Sequence, residues 1–228
     1  MVELIANLDA ARVHANLARV EAELAAARAR HAPARPGFAR SSVEVVAATK
    51  YVACADLPVL AEAGVRLLGE NRAQDLEEKV AAHGPLFQWD FIGALQSRRV
   101  RVIAPLVRLI HSVASESALR ELAARLPSAR PGLRILIEVN VAGEDGKAGV
   151  APEELDALLA LAPVPVAGLM TMPPLTAEPE QNRRWFAALR ELADERGLAQ
   201  LSMGTSQDYL VAVEEGATIV RIGTSLYR

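Results

Sequence analysis

Aromatic residues, cysteine and long apolar runs are all scarce in this sequence. Aromatic residues make up 4% of the 228 residues although 51% of the chain is hydrophobic, so most apolar side chains are aliphatic. The single cysteine, Cys54, excludes an internal disulfide and a zinc site built from cysteines. The four histidines are scattered without the spacing of metal ligands. The composition therefore predicts no metal site.

Signals for a membrane, an export route or a nucleic acid are also missing. No apolar run approaches the roughly 20 residues that a membrane-spanning helix requires. The opening residues, MVELIANLDA, carry acidic residues where a signal peptide would be positively charged. The net charge of −3 gives no electrostatic reason to bind nucleic acid or an anionic membrane. These features predict a cytoplasmic protein without membrane or nucleic-acid partners.

The chain begins with a helical pattern of apolar residues, and the pattern changes after the first 31 residues. Leu17, Val20 and Leu24 recur at helical spacing, and two prolines and a glycine in HAPARPG end the pattern after His31. From Val43 onward, short β-rich runs alternate with amphipathic stretches. The strand candidates are residues 43–50, 66–70, 89–95, 108–113, 134–140, 166–172, 201–204 and 218–223.

Eight strands that alternate with helices indicate a parallel α/β fold. A doubly wound open sheet also explains the alternation. The strand count and the absence of a dinucleotide-binding glycine loop favour a closed (β/α)8 TIM barrel. We therefore expect one domain, residues 1–228, with an extra N-terminal helix at 1–31 and the barrel at 43–224.

Two loops at the carboxyl ends of the last predicted strands are rich in hydroxyl groups. SMGTS (202–206) lies at the end of the seventh strand, just before a predicted helix at 206–214, and Gly223, Thr224 and Ser225 end the eighth. Turns of this composition before a helix leave backbone N–H groups free to bind an anion. The same two loops commonly bind phosphate in such barrels. The alternative is that the serines and threonines only cap helices.

Lys50 ends the first predicted strand, VEVVAATK, in which most of the residues are small or β-branched. A lysine with little access to water can supply a neutral amine, which is a nucleophile toward carbonyl groups. A small molecule with an aldehyde at one end and a phosphate at the other fits this arrangement, and pyridoxal 5′-phosphate is one such molecule. Arg221 could then face the pyridine nitrogen. The alternative is that Lys50 merely extends to solvent.

Two other motifs do not carry chemistry. GEDGKAG (143–149) is too short for a phosphate-binding loop, and Ala148 follows its lysine where such loops have serine or threonine. Ser206 and Asp208 have no histidine placed by the sequence to complete a catalytic triad.

Seven stretches of the chain, in order, resemble the pyridoxal phosphate homeostasis protein family, also called the YggS family. They are AATK (47–50), LLGENRAQDLEEK (67–79), WDFIGALQSRRV (89–100), LIHSVAS (109–115), NVAGEDGKAGV (140–150), GLMTMPP (168–174) and LSMGTSQDYLVAVEEGATIVRIGT (201–224). The sequence departs from the family pattern at Ala94, where a histidine is usual, at Val52, where a lysine is frequent, and at Thr205, where methionine is usual.

The resemblance implies a barrel like the N-terminal domain of alanine racemase, with pyridoxal phosphate bound to Lys50 as a Schiff base. It also implies that Arg221 contacts the pyridine nitrogen. The implied cofactor-binding residues are Lys50, Asn71, Ser202, Met203, Gly204, Thr205, Ser206, Arg221, Gly223 and Thr224. Lys147 matches a lysine that the resemblance associates with cofactor transfer.

The function that the resemblance implies is that of an intracellular carrier or regulator of pyridoxal phosphate without robust catalysis. We expect a monomer whose partners are the cofactor and apo forms of pyridoxal-phosphate enzymes. One alternative is an amino-acid racemase of fold type III, but Tyr51, Tyr209 and Tyr227 are not placed by the sequence to reach across the cofactor ring. A weaker alternative is a Schiff-base aldolase that acts on a sugar phosphate.

Overall fold

Eight parallel strands form a closed barrel in the computed structural model, which describes residue 5, residues 7–31 and residues 43–228. Each strand pairs with the next, and the last pairs with the first. The strands are β1 (Glu44–Ala48), β2 (Leu67–Glu70), β3 (Gln88–Phe91), β4 (Leu109–Val113), β5 (Arg134–Glu138), β6 (Val166–Met170), β7 (Gln200–Thr205) and β8 (Ile219–Ile222). The prediction of a (β/α)8 barrel is confirmed, and the open-sheet alternative is wrong.

Helices connect the strands and surround the barrel. They are α1 (Ala10–His31), α2 (Leu57–Glu62), α3 (Ala73–His83), α4 (Val100–Ile103), α5 (Glu116–Arg125), α6 (Leu155–Ala160), α7 (Arg183–Glu195), α8 (Tyr209–Glu214) and α9 (Thr224–Tyr227). Four helices begin with a 3-10 turn, at Cys54–Asp56, Ser97–Arg99, Pro152–Glu154 and Pro179–Asn182. Two of these turns start with a proline, Pro152 and Pro179, which suits a helix start because proline has no N–H to donate.

The N-terminal helix α1 is present, but it begins later than the sequence pattern predicts. Asp9 accepts a hydrogen bond from the backbone N–H of Arg12 at 2.7 Å, so it acts as the N-cap, and the helix starts at Ala10. Residues 1–4 and 6 of the predicted helix lie outside the described residues. The α1 residues Val13, Val20, Leu24 and Ala27 are buried on one face of the helix.

Helix α1 also holds the carboxyl end of the chain. The side-chain amide of Asn16 donates to the carbonyl oxygens of Leu226 at 3.2 Å and Arg228 at 3.0 Å. The hydroxyl of Tyr209, at the start of α8, donates to the carboxylate of Glu23. The extra helix therefore packs on the α8 and α9 side of the barrel, next to the elements that follow β7 and β8.

The barrel has an apolar layer inside and a larger apolar layer outside. Because side chains of a strand point alternately to its two faces, one set of residues fills the barrel and the other packs on the helices. The inner layer consists of Val46, Leu109, Leu136, Met170 and Ile219. The outer layer includes their strand neighbours Ala47, Ile110, Ile135, Leu169 and Val220.

We predict that Gly168→Ala destabilises the barrel, because a Cβ there would lie 1.8 Å from the carbonyl oxygen of Gln200 on β7. The backbone of β6 or β7 must then shift, and overpacking of this kind lowers the free energy of unfolding by about 1–3 kcal/mol. Urea denaturation measures the loss. Gly84→Ala is the control, since its nearest neighbour is the Val80 side chain at 3.4 Å. Equal stability of the two variants would contradict the prediction.

Candidate functional site

A pocket of about 330 Å³ lies at the carboxyl ends of the strands. Its volume is at the lower end of the range for small-molecule sites. The closure of the barrel places β7 and β8 beside β1 and β2, so loops from both ends of the sequence meet there. The pocket is lined by Ile5, Ala48, Lys50, Tyr51, Asn71, Ile92, Met172, Thr205, Ser206, Gln207, Arg221, Gly223, Thr224 and Tyr227.

Seven of the residues predicted for the site line this one pocket. They are Lys50, Asn71, Thr205, Ser206, Arg221, Gly223 and Thr224. They come from the ends of β1, β2, β7 and β8, as expected for residues at the carboxyl face of a parallel barrel.

Ser202, Met203 and Gly204, which the sequence also predicts for the site, do not line the pocket. Strand β7 continues to Thr205, so residues 202–204 belong to the strand rather than to a loop. The Ser202 hydroxyl is fully buried inside the barrel, and Met203 belongs to the outer apolar layer. Gly204 has φ +91°, and a Cβ there would lie 2.9 Å from the Cα of Tyr209.

Lys50 lies in a turn directly after β1, and its side chain is exposed. Its ammonium group is 4.7 Å from the centroid of the Tyr51 ring, a cation–π contact. The loss of water contact that the apolar strand predicts is not found, because the strand ends at Ala48, two residues before the lysine. Lys50 is therefore an accessible amine at the mouth of the pocket.

A buried ion pair outside the barrel fixes the two strand ends that carry Lys50 and Asn71. The ammonium of Lys79, on α3, contacts the carboxylate of Glu70 at 2.5 Å and donates to the Thr49 carbonyl at 2.9 Å. Thr49 donates its hydroxyl to the same carboxylate at 2.6 Å. The other oxygen of Glu70 accepts from the Asn71 backbone N–H at 3.1 Å. The residues directly before Lys50 and Asn71 are thus tied together.

Asn71 presents an unpartnered acceptor at the pocket wall. Its side-chain oxygen is buried and has no hydrogen-bond partner within the described part of the chain. Buried polar atoms are seldom left unpaired in native proteins, so this oxygen is a candidate acceptor for a ligand in the pocket. Gly93 allows the next loop to pack on this residue, since a Cβ at 93 would lie 2.0 Å from the Asn71 carbonyl oxygen.

Arg221 is a buried cation that borders the pocket. Its guanidinium donates to the Thr171 carbonyl at 3.0 Å and to the Ser202 hydroxyl at 2.5 Å, and it contacts the Met172 sulfur at 2.8 Å. Burial lowers the pKa of Arg221 to about 10, so it remains protonated at neutral pH. Burial also raises the pKa of Glu138, whose carboxyl group interacts with the Arg221 charge.

The loops after β7 and β8 are joined by a hydrogen bond. The Gly223 backbone N–H donates to the Ser206 hydroxyl oxygen at 3.1 Å, so the hydrogen of that hydroxyl remains available to a ligand. Thr205 is different, because its N–H and its hydroxyl both donate to the Asp208 carboxylate, at 2.7 and 3.1 Å. This turn also explains why the predicted helix at 206–214 begins only at Tyr209.

Lys147 lies outside the main pocket, on a neighbouring pocket of about 250 Å³. Met172, Thr205 and Gln207 line both pockets, so the two adjoin. The Lys147 ammonium contacts the Glu144 carboxylate at 2.5 Å.

Neither a metal centre nor a membrane span is found in the described residues. No three or more histidine, cysteine, aspartate or glutamate side chains are grouped so as to hold an ion across residues 5, 7–31 and 43–228. In the same part of the chain, no helix is both long enough and apolar enough to cross a bilayer.

The family described as alanine racemase, N-terminal domain, matches residues 16–228, so the barrel belongs to the class that this domain defines. Proteins named pyridoxal phosphate homeostasis protein share 41% identity in Aquifex aeolicus and 40% in Pseudomonas aeruginosa. These matches cover 85% and 82% of this chain, and 90% and 84% of the relatives. The chain therefore belongs to the pyridoxal phosphate homeostasis protein family, as the sequence motifs predict.

A solved structure supports the same assignment. The structure of PipY from Synechococcus elongatus with PLP bound is 31% identical to this chain. It matches with a TM-score of 0.71 over 92% of this chain and 100% of PipY.

We predict that Lys79→Met lowers the free energy of unfolding by about 3–5 kcal/mol, because the buried Glu70 carboxylate loses its countercharge. Denaturant unfolding at neutral pH gives the value. The control is Arg120→Met, which breaks the exposed pair with Glu116 on α5 and should cost no more than about 0.5 kcal/mol. Similar losses in the two variants would show that the buried pair contributes no more to the free energy of unfolding than the exposed pair does.

We also predict that His111 makes stability depend on pH. Burial lowers its pKa below 6.5, and Asp90, Arg108 and Arg221 are the charged groups around it. Near pH 6.5 the unfolded chain takes up a proton at this residue and the folded chain does not, so stability falls as pH falls. Relative to His111→Gln, the wild type should lose up to about 1.4 kcal/mol per pH unit below that point.

Unfolding free energies of the wild type and of His111→Gln, measured from neutral to mildly acidic pH, test this dependence. Gln does not titrate, so the difference between the two proteins isolates the histidine. A difference that stays constant with pH would contradict the prediction.

Proposed function

We propose that this chain binds pyridoxal 5′-phosphate in the pocket at the carboxyl ends of the strands and serves intracellular homeostasis of that cofactor. One observation carries the proposal: an accessible amine, an unpartnered acceptor and a buried cation line the same pocket, on Lys50, Asn71 and Arg221. Membership of the homeostasis family and the PLP-bound PipY relative support it.

The residues of the pocket suit the separate parts of the cofactor. The Lys50 amine can condense with the aldehyde as a Schiff base, in which a C=N bond forms and the carbonyl oxygen leaves as water. The Ser206 and Thr224 hydroxyls are suitable donors to the phosphate, while the donors of Thr205 are engaged by Asp208. We propose residues 1–228 as one domain built around this site.

Arg221 favours a carrier over an enzyme. When bound, the cofactor supplies an electron sink, whose strength depends on protonation of the pyridine nitrogen. A guanidinium that is protonated at neutral pH and faces that nitrogen disfavours a second positive charge on the ring. We therefore propose that the chain does not catalyse amino-acid chemistry efficiently.

The tyrosines of this chain offer poor support for racemisation, which needs a second proton donor and acceptor opposite the lysine. The Tyr209 hydroxyl is bonded to Glu23, away from the pocket. Tyr227 lines the pocket, but its hydroxyl donates to the Ala48 carbonyl at 3.2 Å, and burial raises its pKa far above the usual value. Tyr51 lies beside Lys50 rather than across from it.

Lys147 fits a role in release of the cofactor. It lies on a pocket that adjoins the main one, so the second amine is available to a cofactor that leaves Lys50. We propose that the chain acts as a monomer and delivers the cofactor to apo forms of pyridoxal-phosphate enzymes in the cytoplasm.

We predict that Lys50→Ala abolishes the visible absorption band that a lysine-bound pyridoxal gives when the protein is mixed with pyridoxal phosphate. The chain offers a matched control, because it has three lysines and only Lys50 lines the main pocket. Lys147→Ala should keep the band and slow transfer to an apo enzyme. A Lys50→Ala protein that still shows the visible band, or that keeps a covalently attached pyridoxyl group after borohydride reduction and dialysis, would overturn the proposed site.

Exchange of the α-proton decides between carrier and racemase. The loaded wild-type protein is incubated with a panel of amino acids in D₂O and followed by proton NMR. We expect exchange no faster than with free pyridoxal phosphate. Exchange that depends on the protein and is lost in Lys50→Ala would establish the racemase alternative.

A further inference from the structure

A continuous series of hydrogen bonds runs through the inside of the barrel and ends at Arg221. The Ser202 hydroxyl lies 2.8 Å from His111 Nδ1, and His111 Nε2 lies 3.1 Å from Asp90 Oδ2. Asp90 accepts from the Arg108 guanidinium at 2.9 and 3.1 Å. Ser202, His111 and Asp90 are on β7, β4 and β3 and are all fully or almost fully buried.

The charged groups at the two ends of the series indicate the direction of each hydrogen bond. A guanidinium can only donate, so the Ser202 oxygen accepts at that contact. The Asp90 carboxylate can only accept, so His111 holds a proton on Nε2 and donates it there. In a neutral ring Nδ1 then carries no proton and accepts the hydrogen of the Ser202 hydroxyl. The lowered pKa of His111 agrees with a neutral ring.

The order of serine, histidine and aspartate resembles a hydrolase triad, but the environment is different. The Ser202 hydroxyl is not exposed to any substrate, and its oxygen accepts from a cation instead of attacking a carbonyl. Ser206 and Asp208, which are two residues apart in the sequence, are not part of this series.

We propose that Ser202, His111 and Asp90 are positioning residues that hold the Arg221 guanidinium at the border of the pocket. This inference rests on the proposed function, because it assigns the purpose of the arrangement to recognition of the heteroaromatic ring of pyridoxal phosphate. Arg221 has a long side chain with several rotatable bonds, and an acceptor in a fixed place restricts it to one orientation. Asp90 is in turn held by Arg108, which also contacts the Glu44 carboxylate at 2.8 and 3.1 Å.

The first test titrates apo Ser202→Ala and the apo wild type with pyridoxal phosphate and with pyridoxal. Binding of each compound is followed by absorbance. Loss of the positioning acceptor should weaken binding of both compounds by the same factor, about tenfold, because the ring is common to both. It should also shift the absorption maximum of the bound compound. A variant with wild-type affinity and spectrum would refute the proposal. Weakened binding of pyridoxal phosphate alone would do the same, since that result assigns Ser202 to the phosphate.

Variants of His111 separate positioning from a general loss of stability. Gln can accept with its oxygen and donate with its nitrogen, so His111→Gln can preserve the series and should bind within about twofold of wild type. His111→Leu should behave like Ser202→Ala. Thr218→Val is the control, because it removes a hydroxyl that accepts from the Leu201 N–H at 2.8 Å, before the start of β8. If Thr218→Val shifts the spectrum as much as Ser202→Ala, the positioning role is wrong.

A measurement without cofactor keeps the inference distinct from the proposed function. In the apo protein, nitrogen-15 NMR of His111 should show a proton on Nε2 and an unprotonated Nδ1, whose shift moves on Ser202→Ala. A proton on Nδ1 would overturn the assigned direction. If Lys50→Ala retains the cofactor band while the NMR result holds, the hydrogen-bond series stands and the proposed binding site fails.

Discussion

The buried positive charge of Arg221 sets the main requirement that the rest of the site has to meet. A guanidinium inside a barrel is stable only if its donors are paired and a negative charge lies nearby. Thr171 and Ser202 supply the acceptors, and Glu138 interacts with the charge. The inner layer is therefore apolar at Leu109 and Leu136 but polar next to the pocket, where a uniformly apolar interior would leave the cation unpaired.

The pocket is supported from both sides of the barrel wall. On the inside, the series from Asp90 through Ser202 orients Arg221. On the outside, the Lys79 and Glu70 pair fixes the ends of β1 and β2. The two supports are built from different strands and share no residue, so a substitution in one leaves the contacts of the other in place.

Much of the fold and part of the site follow from the sequence, and the failures have physical causes. Alternating strands and helices predict the barrel, and barrel closure then brings Lys50 and the last two loops together. Ser202 lies outside the pocket because its strand directs the hydroxyl into the barrel, whereas the composition of SMGTS alone indicates an anion-binding turn. The burial of Lys79 cannot be predicted from the sequence, since QDLEEK is typical of a solvent-exposed helix face. The contacts of His111 are not evident from the sequence, because only the closed barrel brings side chains of β3, β4 and β7 together in its interior.

The contrast between Lys50 and Arg221 favours reversible binding. Arg221 is buried and hydrogen-bonded to Ser202 and Thr171, whereas Lys50 is exposed and lies in a turn. An enzyme gains from excluding water around the reacting bond, because electrostatic interactions strengthen in a closed site. A carrier gains from the opposite arrangement, in which the ring is oriented by the barrel but the covalent link remains open to water and to a second amine. Lys50 is exposed on the main pocket and Lys147 lines the pocket that adjoins it, which is the second arrangement.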